Sequence, residues 1–577
     1  MKSFASVIGL ATLLAAHAEA REFHVSPQGS DRSVGSEAEP FKTLARARDA
    51  VRAVNADMAQ DIVVLLHDGT YPVTETIAFD TRDSGRNGHK VIYSAAPGSK
   101  PVLSGGTDIT GWTPHDKTNG IYEARTVKTP FRQLYVDGAM AVRARYPNRE
   151  SRKDNSPYWA CKVPEIPKMR IKNEYWKTCS TVPIGKRAEV EIVMISHWYH
   201  QRIRVGTVKT VGNEVEITPA SPKGKFTKHP GFYRKNGRID NPFYFENARE
   251  FIDVPYEWYH DAGEGIVYMA FPRGIKPDGA RVEAPVTETL IAVVGTAEAP
   301  VRDLEFRGLT FELANWNTPS REGVNMTQAA QNVGGEMPKP MVLARHVERL
   351  AFRSNTFRRA GGQGLELYNA DFSDVEGNTF RSIAANGIII DRETGRNPTP
   401  DKQSVGVAIW NNQATECGSN YSNGMFLFAN NVKGLIVAHN LIHNLPYSAM
   451  QIGNQPGKIQ DVGCAQNTII NNHIHHCTQI HGDGGGVYTL GGIQTGTVIS
   501  GNHIHDIHQP VWDRYHVDHI YLDNFSSKIT VKDNVVNGGK AVERNGSKGN
   551  SLSNNTQSNP AVEKNAGIKP GYSPRKK

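Results

Sequence analysis

One asparagine recurs through the second half of this chain, and its spacing limits the fold more than any other feature. It sits in SNTF (Asn355), GNTF (Asn378), NNQA (Asn412), HNLI (Asn440), NNHI (Asn472), GNHI (Asn502), DNVV (Asn534) and, more weakly, NNTQ (Asn555). The intervals are 23, 34, 28, 32, 30, 32 and 21 residues. Such units are too short for capped helical hairpins. Their apolar runs (LEL, GIII, GMFLF, GLIV, TVIS, KITV) are bounded by Gly, Asn and Asp, as strands are. A period of roughly 20 to 50 residues built from strands predicts a solenoid, here an all-β, right-handed parallel β-helix. Asparagine suits each corner, because it tolerates left-handed backbone and can hydrogen-bond its own backbone or a stacked neighbour.

The rest of the 577 residues is read against that solenoid. With 38% hydrophobic residues, 54 Gly and 32 Pro, the composition fits a turn-rich β protein better than a helical one. The only long apolar run is N-terminal: Lys2, then Val7 to Ala16, then Ala18-Glu19-Ala20 as a cleavage motif. This predicts a signal peptide over 1–20, with the chain secreted or periplasmic and not inserted in a membrane. Five cysteines are too few for a disulfide framework; Cys161–Cys179 and Cys464–Cys477 could bridge, or the thiols, Cys417 included, stay free. The formal charge of +8 shows no Lys/Arg stripe, so an acidic polysaccharide fits better than nucleic acid.

Residues 21–108 are expected to form an N-terminal cap and the first coils. Phe41, Leu44, Ala47, Val51 and Val54 fall at helical spacing, so Pro40 to Asn55 is read as the capping helix. Residues 109–285 lack the asparagine signature and are rich in aromatics, among them Trp112, Tyr158, Trp159, Trp176, Trp198, Tyr199, Tyr244 and Trp258. They predict an inserted β-sandwich-like domain whose aromatics fill its core; the competing reading sends His197, His200 or Arg202 over the neighbouring groove. The same region carries the basic loop KGKFTKHPGFYRKNGR. The β-helix resumes over 286–561, and the polar tail 562–577 is expected to be loose.

Chemistry is expected where the coils stop being uniform. Nine of the 21 histidines lie between His473 and His519. His443, His475 and His505 share one offset from their asparagines and should stack as an imidazole column, so no metal and no cofactor are expected. Two carboxylates stand out as catalytic candidates: Asp483, in His481-Gly482-Asp483-Gly484-Gly485-Gly486, and Asp523, ending the strand IYLD. Glycines around one acid would let a ligand approach the backbone. Paired carboxylates in unlike surroundings are the usual apparatus of glycoside hydrolysis. Aligning VYTL with IYLD puts Leu490, not Asp483, beside Asp523, so the glycine run should fold back. His481, His505, Tyr488, Tyr521, Glu366 and Asp518 are read as substrate-binding, with Asp518 and Glu366 as reserve partners for the pair.

The segments FRQLYVDGAMAVRARYPN, PYEWYHDAGEGIVYM, FRGLTFELANW, DGGGVYTLGG with TVISGNHIHDI, and HIYLDNFSSKITVKDNVV resemble those of glycoside hydrolase family 141 over nearly the whole chain. The resemblance implies a secreted right-handed parallel β-helix with an inserted β-sandwich, acting on complex glycans, with α-L-fucosidase and xylanase activities among relatives. It implies that the two catalytic aspartates fall on Asp483 and Asp523. Asn524 stands where relatives commonly carry an acid, and the approach HQPVWDRYHVDH is longer. The expected partner is a polysaccharide or oligosaccharide, met by a monomer. A polysaccharide lyase or uronate epimerase on the same fold is the alternative reading, and a non-catalytic glycan-binding protein the second.

Overall fold

The structure is a computed structural model. It describes residues 20–148, 159–165, 168–220, 234–235, 238–239, 241–275, 277–390, 403–455, 463–510, 513 and 515–575. Residues 1–19 of the segment read as a signal peptide, Tyr158, the side chains of Trp159 and Cys161, and most of the basic loop lie outside them.

Three long sheets of 12, 10 and 11 strands run along the molecule, and their ladders are parallel. Successive strands visit them in turn. Thr468–Ile470 lies in the first sheet, His473–Cys477 in the second and Gly484–Leu490 in the third, before Ile493–Ser500 returns to the first. This is a parallel β-helix. Alternate residues of each strand point inward, so like stacks on like. Phe357 lies between Phe311 and Phe380 with ring centroids 5.2 and 4.7 Å away.

The recurring asparagines form a buried ladder. Each Nδ2 donates to the Oδ1 of the asparagine one coil on, from Asn355–Asn378 at 3.1 Å through Asn440–Asn472 at 2.9 Å to Asn534–Asn555 at 2.8 Å. The same Oδ1 also accepts the preceding asparagine's backbone N–H, as in Asn440 N to Asn472 Oδ1 at 3.0 Å. The left-handed residue is not the asparagine but the one before it: Ser354, Gly377, Asn411, His439, Asn471, Gly501, Asp533 and Asn554 all have positive φ. The corner bends there, which turns the next amide inward to stack.

The capping helix is shorter than its apolar spacing suggests, Leu44–Arg52. Thr43 caps it by accepting the Arg46 N–H, and Phe41 instead bridges to Val25 as extended chain. Between Ser104 and Ile291 the coil is interrupted by sheets of four, five and nine strands, antiparallel except where Val142–Arg143 pairs Glu257–Trp258, and the nine-stranded sheet is completed by Val324–Thr327 and Gln331–Asn332. Their pairing begins at Gly106–Ile109 against Val282–Pro285. Trp112, Trp176, Tyr244 and Trp258 are buried. A buried ion network inside the insertion reaches the β-helix through Arg202. Arg132 grips Glu191 through both Nη atoms at 2.6 and 2.8 Å, and Arg202 binds Glu246 at 2.7 Å while donating to the Asn420 carbonyl of the β-helix at 3.0 Å. A fork of this kind fixes orientation as well as distance.

The tail is not loose. After the helix Pro560–Asn565 it runs back along the corner column. Gly567 donates to the Asn471 carbonyl at 2.8 Å, Tyr572 lies 4.3 Å from the His439 ring, and Arg575 reaches Asp374 at 2.6 Å. Backbone groups left unpaired at the corners give even a polar segment partners. Cys179, Cys417 and Cys477 are free and buried, Cys464 is buried too, and the Cys464–Cys477 bridge is not formed. Among the described residues no helix is long and apolar enough to cross a membrane.

Candidate active site

Two neighbouring third-sheet strands, Gly484–Leu490 and Val517–Asp523, pair so that Tyr488 faces Tyr521 and Leu490 faces Asp523. Val487, Ile520 and Leu522 turn into the core, which sends both tyrosines outward. Their rings meet edge to face, 5.2 Å apart at 83°. The hydroxyls then cross between coils: Tyr488 Oη donates to Asp523 Oδ2 at 2.7 Å, and Tyr521 Oη to Asp483 Oδ1 at 3.3 Å. The strand register separates the two acids along the chain, and the tyrosine pair links them.

The glycine run does not fold back. Gly484 to Gly486 belong to the strand, with Asp483 in left-handed conformation just ahead (φ 52°). Nor do these glycines clear space for a ligand. A Cβ at Gly482 would fall 2.5 Å from Asp513 Oδ2, at Gly484 2.5 Å from Ser448 Oγ, and at Gly485 2.3 Å from the Asp518 carbonyl. Close packing between adjacent coils excludes side chains there.

The two carboxyls sit in unlike surroundings. Asp523 Oδ1 accepts the Asn524 N–H at 2.8 Å and Asn545 Nδ2 at 2.6 Å, while Oδ2 accepts Tyr488 and, at 3.4 Å, Asn524 Nδ2. Asp483 is 9% exposed against 2% for Asp523. Burial, then the nearby charges of Asp523 and Asp513, pushes its carboxyl up to about 8, against the Tyr521 hydrogen bond and the field of Arg544. Arg544 donates to Asp518 Oδ2 at 3.0 Å. Asp518 is therefore ion-paired beside the Tyr521 ring, 5.9 Å from that guanidinium.

The site has a roof. A tight turn of the insertion, Ser196 to Tyr199, places His197 Nδ1 2.6 Å from Asp513 Oδ1. Asp513 Oδ2 in turn accepts the Gly482 N–H at 2.9 Å, so the insertion holds the residue preceding Asp483. Tyr447 Oη donates to the Asp483 carbonyl at 2.7 Å, and Gln328 Nε2 reaches the Tyr447 and Tyr488 hydroxyls at 3.4 and 3.2 Å. His197 is one of the three residues that the competing reading of the insertion sends over the groove, and it does reach Asp513 there. Asp513, Gln328 and Asn545 carry no motif in the sequence, and the one hint among them is that Asp513 lies in the lengthened approach to IYLD.

Three residues read as substrate-binding stand elsewhere. His481 is fully buried and turned from the acids, with Nε2 2.7 Å from Ser422 Oγ and Nδ1 2.8 Å from the His197 carbonyl; burial drops its pKa to about 4. Its place in the motif reflects packing under the insertion. His505 lies on the second sheet, since the strand His503–Ile507 precedes the turn toward the acids. Glu366 shares the outward column of Tyr488, but Ile389, Phe428 and Gln451 intervene. At one strand spacing per coil that is roughly 19 Å.

Residues 120–273 match the family model described as the GH141 insertion domain. Over 96% of this chain and 100% of the other, the protein is similar to a solved structure titled "Glycoside hydrolase", at 27% identity with a TM-score of 0.87. A structure titled "The complex structure of XylC with xylose" shares 12% identity over 91% of this chain and 70% of that one, with a TM-score of 0.49. A GH136 lacto-N-biosidase from Eubacterium ramulus shares 10% over 92% and 68%, with a TM-score of 0.36. No curated protein matches the chain. The chain is a GH141-like glycoside hydrolase, a parallel β-helix carrying a GH141 insertion domain.

Proposed function

We propose that the protein cleaves a glycosidic bond with Asp483 as general acid and Asp523 as the ionised partner, acting as nucleophile or as the base on water. The observation that carries this reading is the crossed Tyr488–Asp523 and Tyr521–Asp483 contact, which ties together two carboxyls of opposite surroundings. A carboxyl pushed up to about 8 holds a proton at neutral pH and can give it to a leaving oxygen. Its neighbour, met by donors on both oxygens, is the carboxyl placed to meet positive charge developing at the anomeric carbon. His197 and Asp513 position the Asp483 segment rather than react.

The substrate is read as a complex polysaccharide or oligosaccharide, an α-L-fucoside or a xylan by family resemblance, met by an exported monomer. The lyase reading needs a cation facing a substrate carboxylate, and Arg544, whose charge acts on Asp483, is engaged by Asp518. The test is a screen of fucosylated and plant-wall glycans. New reducing ends without ultraviolet-absorbing product support hydrolysis; an unsaturated product overturns it. Loss of turnover with retained sugar binding in Asp483→Asn and Asp523→Asn excludes a binding-only protein, and full turnover in both overturns the assignment of the pair.

A further inference from the structure

The second sheet carries a group of side chains that the proposed reaction does not use. His473 and His503 face each other across adjacent coils, in register and stacked at 4.9 Å. His505 lies two residues beyond His503 and so on the same outward face, while Ile474 and Ile504 fill the core. His473 Nε2 and His505 Nε2 are 2.8 Å apart, and one ligand nitrogen from each of the three rings lies within 4.8 Å of the others. Stacking alone explains the parallel columns, but not two ring nitrogens from different columns converging on one point.

Asp506 supplies the second observation. Its Oδ2 lies 2.7 Å from His505 Nδ1, so the carboxylate accepts from that nitrogen and leaves Nε2 a lone pair aimed at His473. A carboxylate behind an imidazole, fixing its tautomer and orientation, is the usual support of a metal-ligating histidine. We propose that His473, His503 and His505 bind one divalent transition-metal ion, zinc by ligand type, with Asp506 as positioning residue and the fourth position open to water.

The dimensions suit this. A tetrahedral zinc with Zn–N of about 2.0–2.1 Å sets ligand nitrogens roughly 3.3 Å apart. The three nitrogens, within 4.8 Å of one another, are at most about 1.5 Å from that spacing. All three are only half-buried, which leaves room for a water ligand. His473 belongs to the coil that goes on to Asp483, and His503 and His505 to the coil that goes on to Asp523. The ion would staple those two coils on a different sheet from the acids, whatever reaction the acids perform.

The test uses the full chain without a polyhistidine tag, stripped of metal and titrated with Co2+, then with Zn2+ in competition. Expected are one equivalent bound, the intense visible bands of tetrahedral Co2+, and a rise in Tm with Zn2+. His473→Gln, His503→Gln and His505→Gln each abolish the bands while circular dichroism stays that of the parent. Asp506→Asn keeps them and weakens affinity by about 10- to 100-fold. Absence of tetrahedral bands in the parent protein overturns the proposal without any variant being needed. So does unchanged binding in the triple variant, or loss of binding on His443→Gln alone.

Discussion

Tyr521 donates its hydroxyl to Asp483 Oδ1 at 3.3 Å across the boundary between two coils, so the strand that ends in one acid conditions the other. That hydrogen bond favours the charged form of Asp483 and opposes the burial that keeps it protonated.

It follows that Tyr521→Phe moves the alkaline limb of kcat/KM upward. In the parent protein activity should fall with an apparent pKa of about 8, as Asp483 loses its proton. Removing a donor to the ionised form raises that value, and a pH profile of both proteins shows the direction. A downward shift would contradict the assignment.

Asp483 also predicts how stability varies with pH. In the folded protein its carboxyl stays neutral up to about 8, whereas in the unfolded chain it ionises near pH 4. Between those values the native state binds the extra proton, so this group's contribution is full below about pH 4 and is lost as pH rises through 8. Asp483→Asn has no such loss. Its Tm relative to the parent should climb across that window and level off above it, as thermal melts from pH 4 to 9 would record.

The asparagine ladder should be strongest in its middle. Asn440→Ala leaves the Asn412 side-chain amide and backbone N–H without their acceptor and takes a side-chain donor from the Ile409 carbonyl and from Asn472 Oδ1, the latter keeping the residue 440 backbone N–H. At about 1–3 kcal/mol for each buried group stranded, less what water recovers, a loss of roughly 3 kcal/mol or more is expected. Asn555→Ala, at the end of the ladder and partly exposed, should cost less. Urea unfolding of the two variants compares them.

Tyr572 anchors the returning tail against His439 and the Trp410 cluster. Tyr572→Ala should release residues after Asn565 to proteolysis at a stability cost of about 1–2 kcal/mol, while leaving kcat unchanged. Limited digestion followed by mass spectrometry reads the cut.

Much of this architecture is legible in the sequence because a repeat constrains itself. Once Asn472, Asn502 and Asn534 are aligned, Leu490 must face Asp523 and His475 must face His505, as they do. Which corner residue bends is harder to see, since Ser, Gly, Asn, His and Asp all fill that position. The fold-back assigned to the glycine run fails for a different reason. Glycine serves close packing as well as turns, and only neighbours from other coils tell which. The contact of His197 with Asp513, 316 residues apart, depends on how a whole domain docks, and no local pattern encodes that.

The most direct test of the account is the dependence of each acid's role on the leaving group. Once the sugar is known, Asp483→Asn and Asp523→Asn are assayed on its natural glycoside and on its 2,4-dinitrophenyl glycoside, which departs without protonation. The account predicts that Asp483→Asn loses about 10²- to 10⁴-fold on the natural substrate and little on the activated one, while Asp523→Asn loses heavily on both. Equal losses for Asp483→Asn on the two substrates would contradict it.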